Sequence, residues 1–415
     1  MLTLLRRGSE QVLLDMLGEA PVTVVSGPRQ SGKSTLVREL IDDRHAATYH
    51  TLDDMTLLGA ARSDPQGFIE GLGTGPTIID EVQLAPDLFR AIKLSVDRDR
   101  RPGRFLLTGS SDPALLPQMA ESLAGRMRAL TLWPLTQGEI DGRPESFIEA
   151  VFDVERPFKV LSAASDRSDL MARIVRGGFP EPVRLGVGAP RERWMTDYIA
   201  RMVERDVPRL SEIADRLAMP RILAVLATRT MQLLNLSEVS RLTETKRATL
   251  DRYVALLQAA YLIRLVPAWS GDISRQMGKR PKPIITDSGL ACHLVGAAED
   301  RLKGDSRLLG SLLEGFVATE LLRQSSFCAT QVRISHFRTD TAEVDLVLED
   351  AAGRLVGIEV KATATPISSD FSGLRQFERL VGDRFVRGVL LHSGTTSAPF
   401  GQGMWAVPVS AIWTS

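Results

Sequence analysis

The chain has 415 residues, 44% hydrophobic and 25% charged, which is too long for one ordinary core and has the composition of a soluble globular protein. Basic and acidic residues both total 51, so no overall field draws the protein to nucleic acid or to an anionic membrane, and any such attraction must come from a local patch. Cys292 and Cys328 are far apart and lack the paired spacing of a metal clip, two cysteines do not make a disulfide framework, no apolar stretch approaches the ~18 residues that cross a bilayer, and Arg6 and Arg7 interrupt the first apolar run; these features predict a cytoplasmic protein with no membrane partner.

From residue 1 to 140, short apolar runs alternate with helical patterns, the mark of a parallel α/β sheet. Strands are expected at 22–26, 48–53, 76–80, 104–110 and 128–133. A helical lid is expected from 141 to 215, interrupted by "GGFPEP" at 177–182. A winged-helix-like unit follows at 216–282, and a mixed α/β domain at 283–415.

After the first strand, Gly27, Pro28, Arg29, Gln30, Ser31, Gly32, Lys33 and Ser34 fit the phosphate-loop pattern G-x-x-x-x-G-K-[ST], with Thr35 continuing into a helix. The glycines let backbone N–H groups converge on phosphates, and the helix N-terminus adds its partial positive charge. Lys33 is expected to reach the β- and γ-phosphates of ATP, and Ser34 to ligate Mg²⁺. The strand "PTIID" then offers Asp80 to the Mg²⁺ shell and Glu81 as the base that orients the attacking water. "RFLLTGSSD" ends in hydroxyls, Thr108, Ser110 and Ser111, any of which can sense the γ-phosphate or simply close a turn. Arg126, between a helix and a strand, is a candidate arginine finger for a neighbouring subunit, or a solvated arginine at a helix end.

In "LSEVSRLTETKRATLDRYVALLQAAYLIRL" the spacing of Leu250, Tyr253, Val254, Leu257 and Ala260 predicts a buried helix face, with Thr243 or Thr245 as its cap and Arg247 and Arg252 near its exposed side. Residues 221–282 carry eleven basic and four acidic side chains, a local excess that suits phosphate backbones and so predicts a DNA partner; packing between domains is the alternative use.

The stretch 343–363, "EVDLVLEDAAGRLVGIEVKAT", reads as two strands around a tight turn. Side chains two apart share a strand face, so Asp345 and Glu359 can converge on one divalent cation across the hairpin. The Val360 carbonyl can complete the oxygen shell that Mg²⁺ or Mn²⁺ wants, and Lys361 can orient or activate a bound water. A helix at 309–322 offers Glu314 as a further carboxylate, and a later helix carries Gln376. The plain alternative is a half-exposed hairpin with a surface ion pair.

Taken together, "GPRQSGKSTLV", "TIIDEVQ", "LLTGSS", "ESLAGRM", "RGGFPEP", "ERDVPRL", "LLEGFVATEL", "EVDLVLE" and "GIEVKAT" resemble the bacterial and archaeal AAA-type ATPases with a C-terminal restriction-endonuclease-like domain. The resemblance implies an oligomeric ATP-dependent machine: a P-loop domain over 1–140, and a PD-(D/E)XK nuclease-like fold over 283–415. It assigns ATP hydrolysis to Lys33, Ser34, Asp80 and Glu81, and places Glu314, Asp345, Glu359 and Lys361 in the nuclease positions. The function expected is ATP hydrolysis with Mg²⁺ coupled to DNA binding or cleavage. The alternative is a nucleotide-gated binding or regulatory protein whose nuclease-like domain does not cut.

Overall fold

The structure is a computed structural model that describes residues 5–43, 46–110, 112, 121–155, 166–210, 218–271 and 279–414. It resolves into two compact units: residues 1–135 with 259–261, and residues 136–258 with 262–415.

The first unit is built on a five-stranded parallel sheet. Its strands are β1 (Val22–Ser26), β2 (Thr48–Thr51), β3 (Thr77–Asp80), β4 (Phe105–Gly109) and β5 (Met127–Thr131), in the order β2-β3-β4-β1-β5. All five strands expected from the sequence are present, each within two residues of its expected ends. The central strands β1, β3 and β4 are buried throughout, as their continuous apolar runs require when helices cover both faces.

Alternation along these strands sorts the core into two layers. Val22, Val24, Ile79, Phe105 and Leu107 pack with Leu88, Phe89 and Ile92 of the helix α5 (Leu88–Arg98) and with Leu58 and Ile69 of α3 (Met55–Ser63) and α4 (Pro65–Gly71). Val25, Ile78, Leu106 and Leu130 pack with Leu13 and Leu17 of α1 (Ser9–Glu19) and Leu36, Val37 and Leu40 of α2 (Lys33–Asp43). Residues 259–261 belong to this unit, where the Tyr261 hydroxyl donates to Ser26 Oγ at 2.8 Å.

The second unit begins with α6 (Gln137–Asp141), α7 (Phe147–Phe152), α8 (Arg167–Arg176), α9 (Pro180–Leu185) and α10 (Ala189–Arg201). A π-helical turn at Met202–Asp206 then leads into α11 (Val207–Leu210). Three helices follow, α12 (Ala218–Thr228), α13 (Leu236–Thr243) and α14 (Arg247–Ala259), with an antiparallel ribbon of β6 (Ile263–Val266) and β7 (Lys282–Ile285). Leu250, Tyr253, Val254, Leu257 and Ala260 are all buried and Arg247 and Arg252 exposed, as their spacing predicts. The hydroxyls of Thr243 and Thr245 donate to the carbonyls of Val239 and Thr243.

Next come α15 (Ser288–Val295), α16 (Glu299–Gly304) and the long α17 (Ser306–Gln324). The remainder is a six-stranded mixed sheet in the order β12-β13-β11-β10-β9-β8, with α18 (Ser372–Val381) packed on it and α19 (Ala411–Thr414) near the end. Its strands are β8 (Val332–Arg338), β9 (Glu343–Asp350), β10 (Leu355–Lys361), β11 (Phe385–His392), β12 (Ala398–Pro399) and β13 (Met404–Pro408). β9 and β10 form the antiparallel hairpin expected from the sequence, with Ile358 opposite Leu346. Gly373 is required where α18 meets β9: a Cβ there would lie 2.1 Å from the Glu343 carbonyl oxygen. No helix among the described residues is long and apolar enough to cross a membrane.

Candidate functional site

β1 ends at Ser26 and the chain turns at Gly27 with φ +146°; a Cβ at this position would sit 2.3 Å from the Leu132 carbonyl oxygen. Only glycine lets the loop pass so close to the end of β5. Pro28, Arg29 and Gln30 carry the loop outward, with Gln30 in the left-handed region at φ +62°. Gly32 brings it back into α2. Arg7, which the sequence reading treats only as a break in an apolar run, ties this loop down. Its guanidinium donates to the Ser31 carbonyl at 2.8 Å and to the Trp133 carbonyl at 2.6 Å.

Lys33 opens α2 and is buried, its ammonium donating to the carbonyls of Gly27 (3.0 Å) and Pro28 (2.8 Å). Burial pulls its pKa down to about 8, against the opposing pull of Glu81 and Asp80. Ser34 Oγ lies 3.2 Å from Asp80 Oδ1, so the two oxygens expected around Mg²⁺ stand side by side. Ser31 Oγ is buried without a hydrogen-bond partner, an orphaned donor inside the loop that a phosphate oxygen would satisfy. Thr35 is exposed at the start of the helix.

The strand order explains the rest of the site. β4 lies between β1 and β3, so Thr108, the last residue but one of the strand, is delivered beside Asp80, and its hydroxyl donates to Asp80 Oδ1. β2 lies on the other side of β3, and from it Tyr49 donates to Asp80 Oδ2 at 2.5 Å. Burial raises the Tyr49 phenol to about 12, with the hydrogen bond to Asp80 adding to the effect. Glu81 follows in the left-handed region at φ +59°, its N–H donating to Thr108 Oγ1 at 3.1 Å. A glutamate held at positive φ is strained, and such strain persists where surrounding bonds fix it. Its carboxylate accepts from the Gln83 amide, which also donates to Ser110 Oγ at 3.1 Å. Tyr49 and Gln83 are site residues that no local motif announces.

Arg126 is not brought to the phosphate loop of its own chain. It precedes β5, whose first residue pairs with Val22 at the start of β1, whereas the loop follows the far end of β1. There it pairs with Asp97 at 2.7 Å. Ser111 lies outside the described residues.

In the second unit, Asp345 and Glu359 are 7% and 8% exposed, so the hairpin is not the half-exposed one of the plain alternative. The Val360 N–H donates to Asp345 Oδ2 at 2.9 Å, and Lys361 Nζ donates to Glu359 Oε1 at 2.7 Å. Glu359 Oε2 is buried with no partner. Burial, reinforced by Asp345, raises the carboxyls of Glu314 and Glu359 well above the usual carboxylate range. Burial raises Asp345 as well, and Lys282 opposes that rise. Glu314, on α17, thus shares one electrostatic environment with the hairpin.

Two features differ from expectation. Among the described residues, no three His, Cys, Asp or Glu side chains are placed to hold a metal ion together, so the cation cage expected at Glu314, Asp345 and Glu359 is not preformed. The cluster also contains an unforeseen second lysine. Lys282, from β7, is 1% exposed, with Nζ 2.8 Å from Glu343 Oε1 and 3.9 Å from Asp345 Oδ1. Gln376 donates instead to Thr341 Oγ1 at 3.3 Å.

The motifs "RGGFPEP" and "LLEGFVATEL" meet in a buried ionic knot. Arg323 donates to Asp287 at 2.9 Å and to Glu320 at 2.8 Å; Asp287 in turn accepts from the Gly178 N–H, and Glu320 from the Gln137 N–H. All three charged side chains are nearly inaccessible. These residues are structural, and charge pairing is what permits their burial. In the basic segment, Arg241, Lys246, Arg247, Arg252, Lys279 and Arg280 are exposed, while Lys282 is not; Asp272 and Arg275 lie outside the described residues.

A parallel sheet with a phosphate loop after β1, an acidic pair after β3 and a hydroxyl strand between them defines a P-loop ATPase domain. Accordingly, residues 19–141 match the family described as AAA domain. Residues 167–301 and 309–412 match two domains of unknown function, DUF8612 and DUF4143. Over 413 residues the chain is 32% identical to an uncharacterized protein of Mycobacterium tuberculosis and, equally, to one of Mycobacterium bovis, spanning 99% of this chain and 85% of each relative. The chain belongs to the family of these mycobacterial proteins. An uncharacterized protein of Haemophilus influenzae is 22% identical over 351 residues, 80% of each chain. Among solved structures, a Walker-type ATPase of Pyrococcus abyssi aligns with 70% of this chain and 96% of its own at 14% identity, with a TM-score of 0.40. A signal-transduction ATPase of Pyrococcus horikoshii with a tetratricopeptide repeat sensor aligns with 78% of this chain and 46% of its own at 12% identity, with a TM-score of 0.28.

Proposed function

We propose that the protein binds ATP with Mg²⁺ and hydrolyses it, and that this cycle controls engagement of DNA by the C-terminal half. The observation that carries the first part is the approach of Ser34 Oγ to Asp80 Oδ1 at 3.2 Å beside the buried Lys33 ammonium. Lys33 leaves the carbonyls of Gly27 and Pro28 for the β- and γ-phosphates, and the loop N–H groups cradle the same oxygens. Ser34 and Asp80 would hold Mg²⁺, which would supply positive charge against the phosphate oxygens. Glu81 takes up the proton of the attacking water, and Thr108, bonded to both Asp80 and the Glu81 N–H, couples the two acids. Arg126 serves as a finger only in a homo-oligomer, where a neighbouring chain's nucleotide faces it.

For the C-terminal half, the resemblance carried by "EVDLVLE" and "GIEVKAT" supports a nuclease-like domain with Asp345, Glu359 and Lys361 at its site. Among the described residues, these carboxylates as placed do not form a metal cage. That observation favours the second reading, in which the domain engages its partner under nucleotide control without cutting.

The test is ATPase turnover and DNA cleavage by the full chain with Mg²⁺ or Mn²⁺, on single-stranded, duplex and branched DNA, with and without ATP. Lys33→Ala is expected to abolish turnover and Glu81→Gln to lower it roughly 10²-fold or more; unchanged turnover in both would remove the P-loop from catalysis. Cleavage lost in both Asp345→Ala and Glu359→Ala would install the nuclease reading. No cleavage by any protein, with ATP-dependent DNA retention on a filter, would establish the binder.

A further inference from the structure

The carboxylate cluster around Asp345 and Glu359 carries a feature that no hairpin motif contains. Lys282 comes from β7, outside the strand–turn–strand segment, and at 1% exposure its ammonium is sealed from solvent. A buried ammonium needs anionic partners, because desolvating an isolated charge costs far more than the chain can offset. It finds Glu343 at 2.8 Å and Asp345 at 3.9 Å, both on β9. Glu343 is shared with Arg338 at 3.0 Å, so the lysine is not its only counter-charge. Lys361 meanwhile holds Glu359 Oε1, which leaves Glu359 Oε2 buried and unpartnered.

We propose that Lys282 is a built-in counter-ion of this cluster: it supplies the positive charge that a divalent cation would otherwise bring, and so holds the cluster's affinity for divalent cations low. The inference rests on the reading of Asp345, Glu359 and Glu314 as a potential cation site, and it explains why the three are not arranged as a cage. Two unit positive charges, Lys282 and Lys361, stand inside the cluster. A divalent ion entering there meets their repulsion as well as the carboxylates' attraction. In a desolvated site that repulsion acts at low dielectric and is little screened by salt. Lys282 is therefore a positioning and affinity-setting residue, acting on the carboxylates and not on a substrate.

The experiment is Mn²⁺ binding to the full chain without nucleotide, followed by the electron paramagnetic resonance signal of free Mn²⁺. Mn²⁺ bound by the Asp345→Ala, Glu359→Ala double variant is subtracted as the contribution of the rest of the chain. Lys282→Met keeps the length of the side chain and removes its charge. Because that change leaves Glu343 facing an apolar group, the pair Glu343→Gln and Lys282→Met/Glu343→Gln is measured as well. The expected result is Mn²⁺ affinity at least about tenfold tighter in each lysine-free protein than in its lysine-containing counterpart, as loss of a repulsive charge at low dielectric requires. Equal affinity within both pairs, with Mn²⁺ still bound above the subtracted background, would overturn the role of Lys282 and leave the cation site standing. No Mn²⁺ above background in any protein would remove the cation site itself, and the inference with it.

Discussion

Tyr49 and Asp80 share a short hydrogen bond, phenol to carboxylate Oδ2 at 2.5 Å, across the first two strands of the AAA-domain sheet. Since Ser34 and Thr108 both donate to Oδ1, each oxygen of Asp80 is oriented before any cation arrives. Partners that orient a metal-side carboxylate are commonly worth about 10-fold or more in metal affinity or activity. Tyr49→Phe is therefore expected to raise the Mg²⁺ concentration for half-maximal ATPase by roughly 10-fold. The melting temperature should move little, because Tyr49 is only partly buried. A Mg²⁺ titration of turnover at saturating ATP checks it, and an unchanged midpoint would reduce Tyr49 to packing.

Lys33 makes nucleotide binding sensitive to pH. Burial sets its pKa at about 8 in the nucleotide-free protein, below the ordinary value of 10.5. The sign for folding follows: the cost of a buried ammonium is fully present below pH 8 and is relieved as pH rises from about 8 to 10.5. Binding runs the other way, since phosphates select the charged lysine. Affinity for a non-hydrolysable ATP analogue is expected to be flat from pH 7 to about 8, then to fall by up to about tenfold per pH unit. Lys33→Ala should bind weakly with no such break. An affinity curve for the native chain without a break between pH 7 and 9.5 would contradict the assignment.

What could be read from the sequence was what local chemistry determines. The phosphate loop, the acidic pair and the five strands each announce themselves within about ten residues, through glycine placement and apolar periodicity. Tyr49, Gln83, Arg7 and Lys282 were not legible, because each acquires its role from strand order or from a segment far away in the chain. Tyr49 matters because β2 lies next to β3, and Lys282 because β7 reaches the β9–β10 hairpin. Alternation in "EVDLVLE" suggests one exposed face, yet Val344, Asp345, Leu346 and Val347 are all buried. Helices α17 and α18 both pack against this sheet, and a period-two pattern cannot announce a cover supplied from elsewhere.

Gln83 holds the carboxylate of Glu81 and, through the same amide nitrogen, Ser110 Oγ. A general base must be free to accept a proton from the attacking water, and this bond occupies one of its oxygens. Removing the tether in Gln83→Ala is expected to raise basal turnover several-fold, whereas Glu81→Gln should lose roughly 10²-fold or more. Steady-state kcat at saturating ATP separates restraint from positioning. A fall in kcat for Gln83→Ala would mean that the amide aims Glu81 at the water.

Glu145 predicts a pH dependence of stability in the second unit. Burial, with Glu320 adding, pushes its carboxyl up to about 8 from an ordinary 4.5. Thr136 Oγ1, the Gly138 N–H and the Gln324 amide donate to it, and Glu139 is the other nearby acid. A folded-state pKa above the unfolded one means that the native chain binds more protons between these values. Stability from this group is then fully present below about pH 4.5 and is lost as pH rises through about 8. Glu145→Gln keeps the shape and one acceptor while its amide turns a donor toward Thr136, so it removes the titration at little packing cost. Relative to native protein it is expected to gain roughly 1 to 3 kcal/mol at pH 9, and far less at pH 5. Urea midpoints of both proteins at the two pH values measure the difference; a gap that stays constant would mean that Glu145 is charged throughout, with its hydrogen bonds outweighing the burial and the repulsion of Glu320.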